Sequence, residues 1–132
     1  MARKLKVLAV DDDPRILDLV ATILRLAQVE VATAVDGEAG LALAQVTRPD
    51  VVLLDIMMPR MDGYDVCRAL KASDDAPKIV MITAKTSSDD ELAALAAGAD
   101  GYIRKPFRSE DILRAVGLEV ASDVETAPGE PA

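Results

Sequence analysis

The residues best suited to chemistry in this 132-residue sequence are aspartates that close short apolar runs. Asp11, Asp12 and Asp13 follow the first run, and Asp55 ends a later one. Carboxylates held close together repel one another unless a cation joins them. Because the chain has no histidine and a single cysteine, the available ligands are oxygens, which favour Mg²⁺, with Mn²⁺ or Ca²⁺ as substitutes.

Asp13 precedes Pro14 and is better used as a helix N-cap, which leaves Asp11 and Asp12 to face the site. Magnesium usually keeps several waters and takes only one or two protein carboxylates, while a phosphate supplies other ligands. A site made of Asp12, Asp55 and a loop carbonyl therefore leaves room for phosphoryl oxygens.

Asp55 is also a candidate nucleophile, because a carboxylate can attack phosphorus and become an acyl phosphate. The transferred group then needs its oxygens neutralised by a metal, an ammonium and hydrogen-bond donors. Lys105 offers the ammonium, Thr83 a hydroxyl and Ala84 a backbone N–H. No general base is needed, since a carboxylate is already ionised at neutral pH.

These residues stand at the ends of predicted strands. Five aliphatic or β-branched runs predict strands at Lys6–Val10, Glu30–Ala34, Val51–Asp55, Lys78–Thr83 and Gly101–Arg104. The runs Val-Val-Leu-Leu and Ile-Val-Met-Ile are apolar at every position, which is typical of strands buried on both faces of a parallel sheet.

Helical spacing and capping residues separate the strands. The first helix is predicted from an apolar series, flanked by Leu17 and Leu24, at Ile16, Val20, Ile23 and Ala27. Ser88 and Glu91 form a capping box for the fourth helix, which Gly98 ends, and Ser109 caps the last helix. The sequence therefore predicts five strand–helix units in an α/β domain with a doubly wound, five-stranded parallel sheet and five helices. Ligands of such sheets bind beyond the carboxyl ends of the strands, where the acids, hydroxyl and ammonium converge.

Composition limits the function classes. Apolar residues make up 51% and charged residues 29% of the chain, which predicts a folded domain. No apolar run approaches the roughly 20 residues of a membrane helix, and we expect a soluble cytoplasmic domain without a membrane partner. The net charge of −8 argues against direct nucleic-acid binding. Without histidine, a His-ligated zinc site and His-based catalysis are excluded, and Cys67 alone cannot form an internal disulfide.

The carboxyl end differs in composition from the rest. No basic residue follows Arg114, while Glu119, Asp123, Glu125 and Glu130 are acidic. The predicted organisation is therefore one domain over residues 1–120, followed by a flexible acidic tail or linker over residues 121–132.

Taken in order, these motifs resemble those of a two-component response-regulator receiver domain, over about residues 5 to 120. The motifs that carry the resemblance are Val10-Asp11-Asp12-Asp13, Leu54-Asp55-Ile56-Met57-Met58-Pro59 with Met61-Asp62-Gly63, Ile82-Thr83-Ala84, Gly98-Ala99-Asp100-Gly101-Tyr102 and Arg104-Lys105-Pro106-Phe107. The resemblance implies a flavodoxin-like fold of the receiver type.

The resemblance also implies roles for single residues. Asp55 would be the phosphoacceptor, and Asp11 and Asp12 the acidic pair that holds Mg²⁺. Asp12 would be a direct ligand, with the backbone carbonyl of Met57 as another. Thr83, the Ala84 amide and Lys105 would contact the phosphoryl group, and the Lys105–Pro106 peptide bond would be cis.

The implied function is a switch. Thr83 would move toward the phosphoryl group and Tyr102 would fill the vacated space, which changes the surface of helix four, strand five and helix five. A sensor histidine kinase or a small phosphodonor would supply the group, and the same surface could form a homodimer. By resemblance the kinase would dock on Arg15, Ile16, Leu19 and Val20, with Pro106 and Phe107.

The resemblance also implies that the side chains of Met57 and Lys85 would flank the path of the water that hydrolyses the acyl phosphate. A bulky, apolar Met57 should obstruct that path, so we expect slower self-dephosphorylation than in relatives with Asn or an acid at this position.

Other functions fit parts of the pattern. The chain could be a phosphorelay intermediate, or a scaffold that keeps only the fold. A dehalogenase-type phosphatase also uses an aspartate nucleophile and Mg²⁺, but Arg15 stands where its motif needs Thr or Val. The P-loop pattern is absent. We therefore expect a signalling domain, not an enzyme, that catalyses only its own phosphorylation and dephosphorylation.

Overall fold

Five parallel strands form one sheet in the order β2-β1-β3-β4-β5. The computed structural model describes residues 4–84 and 87–118, so the predicted tail at 121–132, the domain boundary at residue 120 and Lys85 lie outside the described residues. The strands are β1 Lys6–Val10, β2 Glu30–Ala34, β3 Val51–Leu54, β4 Lys78–Thr83 and β5 Gly101–Arg104. The helices are α1 Pro14–Leu26, α2 Gly37–Thr47, α3 Gly63–Lys71, α4 Ser88–Ala96 and α5 Ser109–Ala115.

The two faces of the sheet bury alternate residues of each strand. Leu8 and Val10 of β1 pack in a core with side chains of α2, α3 and α4, whereas Val7 and Ala9 pack in a second core with α1 and α5. This is the arrangement predicted from strands that are apolar at every position, because both faces are covered by helices. The doubly wound α/β fold is thereby confirmed.

The registers place the carboxyl ends of the central strands side by side. Val10 of β1 pairs with Leu54 of β3, and Leu54 pairs with Met81 of β4. The prediction that β3 includes Asp55 was wrong by one residue, since the strand ends at Leu54. Asp55 instead begins the connection to α3, although its amide still bonds to the Val10 carbonyl at 2.9 Å.

Two predicted helix caps were also misplaced by one residue. The N-cap of α4 is Ser87, whose hydroxyl accepts from the Asp90 amide at 3.1 Å, so the predicted pair of Ser88 and Glu91 is not the capping box. Arg108 precedes α5 in an extended conformation, and Ser109 is already the first helical residue. The Arg108 amide donates to the Asp111 carboxylate at 2.8 Å.

The buried stripe of α1 is turned slightly from the predicted one. It consists of Leu17, Val20, Ala21 and Leu24. Ile16, Ile23 and Ala27 are only partly buried at its edge. The two apolar series lie side by side on the helix, and docking on the sheet selects the one that faces the core.

Candidate functional site

The first side of the site is the end of β1. Asp11 is buried, with 4% of its surface exposed, and its carboxylate accepts the Asp13 amide at 2.9 Å. Asp12 is exposed at the rim. Asp13 caps α1 through the Arg15 amide and also binds the Arg15 guanidinium at 3.1 and 3.2 Å. The prediction that Asp13 serves the helix rather than the site agrees with these contacts.

The pKa of the Asp13 carboxyl is lowered, chiefly by the hydrogen bond from the Arg15 side chain and then by that from the Arg15 amide. Asp13 therefore stays ionised and engaged with its own helix, away from the convergent carboxylates.

The second side is Asp55, which is 5% exposed. Its carboxylate accepts the Met57 amide at 3.4 Å, so the chain turns back toward Asp55 directly after β3. Gly63, the first residue of α3, lies against this turn. A Cβ at Gly63 would stand 2.4 Å from the Asp55 carbonyl oxygen and 2.7 Å from the Ile56 Cα, so the backbone of α3 supports the turn only because the residue is glycine.

The three predicted acids converge. Asp11, Asp12 and Asp55 each offer a carboxylate oxygen, and these oxygens all lie within 4.8 Å of one another. An all-oxygen donor set with several negative charges fits a hard divalent cation such as Mg²⁺. Asp12 provides the solvent-facing side through which water or a phosphate could complete the coordination.

Lys105 reaches the acids from the end of β5. Its Nζ lies 2.8 Å from Asp11 Oδ2 and 3.8 Å from Asp55 Oδ2, and only 21% of its side chain is exposed. The Lys105 amide donates to the Thr83 carbonyl at 2.9 Å. The Lys105–Pro106 peptide bond is cis, as the resemblance implied.

Asp55 is held in an environment that opposes its charge. Its pKa is raised to about 6, first by burial and then by the negative charge of Asp11, while Lys105 and the Met57 amide act in the opposite direction. The carboxylate is therefore mostly ionised at neutral pH, and a cation beside it would favour that form further.

Thr83 ends β4, the strand beside β3, and is completely buried. Ala84 follows it and is exposed, so its backbone is open to the rim. Met57 lies in the turn with 54% of its surface exposed. All the predicted metal and phosphoryl-contact residues thus stand at the carboxyl edge of the sheet.

The predicted switch residue Tyr102 lies within β5 rather than at its carboxyl end. It is half-buried on β5, paired with Met81 of β4. Arg104, two residues further along β5, binds Glu91 of α4 at 2.7 Å, which links the strand to that helix. Of the predicted kinase-docking residues, Leu19 is 48% exposed, but Val20 is 2% exposed and belongs to the core.

Sequence reasoning missed the ion pair between Lys105 and Asp11, since it assigned the lysine to the phosphoryl group alone. It also missed Gly63 as a support of Asp55. The motif Met61-Asp62-Gly63 carried a signal for the glycine, but only the approach of α3 to the turn shows why a side chain does not fit there.

Comparison with sequence families gives one match that spans most of the chain. A family model described as the response regulator receiver domain matches residues 7–117. The DNA-binding response regulator MtrA of Mycolicibacterium smegmatis is 42% identical over 111 residues, which are 84% of this chain and 48% of that protein. The transcriptional regulatory protein PrrA of Mycobacterium tuberculosis is 44% identical over 128 residues, 92% of this chain and 55% of that protein. The chain thus spans about half the length of both relatives.

Solved structures show the same architecture. The chemotaxis protein CheY4 of Vibrio cholerae has a TM-score of 0.82 at 38% identity, and the likeness covers 86% of this chain and 97% of that one. The BeF3-activated DrrB receiver domain has a TM-score of 0.78 at 33% identity, with 86% and 95% covered.

Proposed function

Because the chain belongs to the response-regulator receiver family of two-component systems, we propose that it accepts a phosphoryl group on Asp55 with Mg²⁺. Members of this family are signalling domains rather than classical enzymes, as the motifs predicted. The observation that carries the proposal is the meeting of the Asp55 carboxylate with those of Asp11 and Asp12 and with the Lys105 ammonium. The donor is the phosphohistidine of a sensor kinase or a small acyl phosphate.

The transfer uses the ionised carboxylate of Asp55 as the nucleophile. One of its oxygens forms a bond to phosphorus while the bond from phosphorus to the donor nitrogen or oxygen breaks, and the leaving group keeps the electron pair. The product is an acyl phosphate on Asp55. A pKa of about 6 means that no base is needed at neutral pH.

The acidic residues would hold the metal. Asp11, Asp12 and Asp55 are its proposed side-chain partners, with Asp12 a direct ligand and the Met57 carbonyl another. When bound, Mg²⁺ supplies positive charge that offsets both the clustered carboxylates and the oxygens of the incoming phosphoryl group.

Lys105 supplies the second positive charge. Its Nζ already lies 3.8 Å from an Asp55 oxygen, so a phosphoryl group on Asp55 would come within reach of the ammonium. The Thr83 hydroxyl and the Ala84 amide complete the proposed set of donors from the end of β4. Fixed donors of this kind stabilise the charge of the transferring group.

The proposed output is a change in the surface formed by α4, β5 and α5. The phosphoryl group adds close to two negative charges. Thr83 would move toward it, and Tyr102 would turn into the space left behind. Since Arg104 on the same strand binds Glu91 of α4, a change in β5 is transmitted to the helix.

Partners follow from the family. Response regulators pair with sensor histidine kinases, and we propose such a kinase as the partner here, acting in the cytoplasm. The named relatives are DNA-binding or transcriptional regulators of about twice this length. We propose that the α4–β5–α5 surface controls a downstream partner or a homodimer, and that this chain does not itself contact nucleic acid. Within the described residues, no helix is long and apolar enough to cross a membrane.

The test is incubation of the full chain with acetyl phosphate and Mg²⁺, followed by mass spectrometry. We expect a mass gain of one phosphoryl group that disappears in Asp55→Asn and in the presence of a chelator. A wild-type chain that gains no mass would favour the scaffold alternative. Steady release of phosphate from a small phosphoester would favour the phosphatase alternative.

A further inference from the structure

We propose that α2 is a positioning element of the cation site, acting through two glycines that let it lie against both halves of that site. Gly40 contacts the strand that leads to Asp11, and Gly37 contacts the loop that follows Asp55. The inference rests on the proposed function, because it concerns how the metal-binding carboxylates are held in place.

Val10 is the point at which the two halves of the site meet. It directly precedes Asp11, and its carbonyl accepts the Asp55 amide at 2.9 Å. Val10 is 1% exposed and lies in the core on the α2 side of the sheet. A displacement of Val10 therefore moves the backbone of Asp11 directly and that of Asp55 through the hydrogen bond.

Gly40 is the residue of α2 that rests on Val10. A Cβ at Gly40 would stand 2.9 Å from Val10 Cγ2 and 3.2 Å from Val10 Cγ1. Glycine is a poor helix former, and Gly40 lies inside α2 among better ones, so local helix propensity does not explain it. The close approach to Val10 explains the glycine, since an added methyl group at Gly40 must push the valine away.

Gly37 makes the matching contact to the other half. A Cβ at Gly37 would stand 2.9 Å from both the Met61 carbonyl oxygen and Val66 Cγ2. Met61 belongs to the loop that runs from Asp55 past Met57 to α3. Beside this contact, Arg60 of the loop lies 3.8 Å from Asp36, the N-cap of α2.

The consequence is that ligand placement depends on how deeply α2 packs. Magnesium demands nearly octahedral geometry with ligands at about 2.0–2.1 Å, so shifts of a few tenths of an ångström in a carboxylate weaken binding. An added methyl at Gly40 would force a shift of that size at Val10. Gly37 and Gly40 are thus positioning residues, which touch neither metal nor phosphoryl group.

The experiment measures Mg²⁺ affinity by titration calorimetry on the full 132-residue chain, with variants at Val10 and Gly40. We expect Gly40→Ala to weaken Mg²⁺ binding by about three- to tenfold, in line with the sensitivity of magnesium to ligand placement. Val10→Ala alone leaves a gap under α2 and should also weaken Mg²⁺ binding. Adding Gly40→Ala to it places the new methyl 3.6 Å from the Cβ at position 10, an ordinary contact, and should restore Mg²⁺ affinity toward the wild-type value.

A matched control exists at the opposite edge of the sheet. At Gly101, the first residue of β5, an added Cβ would stand 3.3 Å from Val80 Cγ2. Gly101→Ala therefore also crowds a valine, though more mildly than Gly40→Ala, and does so away from the acids. We expect it to alter the free energy of unfolding while leaving Mg²⁺ affinity unchanged.

The outcomes separate the two proposals. A wild-type chain that binds no Mg²⁺ overturns the proposed function, and this inference with it. If the wild type binds but Gly40→Ala binds equally well, the positioning role of α2 is wrong. Should Gly40→Ala not fold, Val10→Ala is compared with and without Gly40→Ala, and equal Mg²⁺ affinity of those two variants overturns the inference.

Discussion

The buried carboxylate of Asp55 is both the proposed reactive group and a source of instability. Burial and the negative charge of Asp11 raise its pKa to about 6, and Lys105 offsets them only in part. Met57 stands beside it with its amide bonded to the carboxylate and half of its side chain in solvent. The ionised form of Asp55, which the proposed reaction needs, therefore destabilises the fold until a cation is bound.

We predict that Asp55→Asn stabilises the metal-free protein increasingly as pH rises. An Asp pKa raised from 3.8 to about 6 on folding means that the folded state holds the proton more tightly. The stability from this group is present below pH 3.8 and is lost as pH rises through about 6. Asp55→Asn has no carboxyl to titrate at this position, so its stability does not fall in this way. The free energy of unfolding of the variant should therefore exceed that of the wild type by a difference that grows with pH, to at most about 3 kcal/mol once the pH is above about 6.

The measurement is urea unfolding of both proteins from about pH 4 to about pH 7 in the presence of a chelator. Asp13 and Asp75, whose pKa values are lowered, have the opposite pH dependence, but both proteins share it and it cancels in the difference. A difference that stays constant over this pH range contradicts the prediction.

Met57 is predicted to control the lifetime of the acyl phosphate. Its exposed side chain lies at the turn beside Asp55. A bulky apolar group at this position should obstruct the attacking water. Met57→Asn should shorten the lifetime several-fold, as followed by loss of the phosphoryl mass after the donor is removed. Met57→Leu keeps the bulk and should keep the lifetime, so equal decay of all three proteins would refute the idea.

At the scale of elements, the helices are held to the sheet by polar residues at their ends as well as by the core. Asp100, which precedes β5, accepts the Ile79 amide at 2.8 Å and the Lys71 ammonium at 2.7 Å. One carboxylate thereby ties the end of α3 to the start of β4. Burial by itself would raise its pKa, but the hydrogen bonds from Lys71 and Ile79 outweigh burial and lower it.

We predict that Asp100→Ala costs about 1–3 kcal/mol of stability, because it leaves the Ile79 amide without this acceptor. Lys71→Met removes the ion pair but spares the amide bond, so it should cost less than about 1 kcal/mol. Chemical unfolding at neutral pH compares the two variants. Since the Asp100 pKa is lowered, its contribution should fade as pH drops below the ordinary value of 3.8. Equal losses in both variants would show that the ion pair, not the amide bond, dominates.

At the scale of the whole molecule, the topology gathers residues that are distant in sequence. Asp11, Asp55 and Lys105 follow β1, β3 and β5, and the order β2-β1-β3-β4-β5 brings all three to one edge of the sheet. Parallel strands joined by helices place all their carboxyl ends on that edge. Three carboxylates meet there, and the Lys105 ammonium contacts two of them, those of Asp11 and Asp55.

The strands were predictable because burial on both faces leaves a continuous apolar run. Four of the five strands agree with the prediction at both ends, and the last residue of β3 differs because Asp55 leaves the ladder to form the turn. Caps were less predictable, since Ser87 and Ser88 are equally good capping residues and only the backbone path selects between them. The buried stripe of α1 was likewise decided by docking on the sheet.

Sequence alone determined the family, the five strand–helix units and the residues that meet at the site, because hydrophobic periodicity and strand-end polar residues are local properties. Tertiary structure alone decided how the meeting occurs: the Lys105–Asp11 pair, the raised pKa of Asp55 and the close contacts of Gly63 and Gly40. Those features depend on distances between segments far apart in the chain. Burial, electrostatic repulsion and steric contact arise only once packing has set those distances.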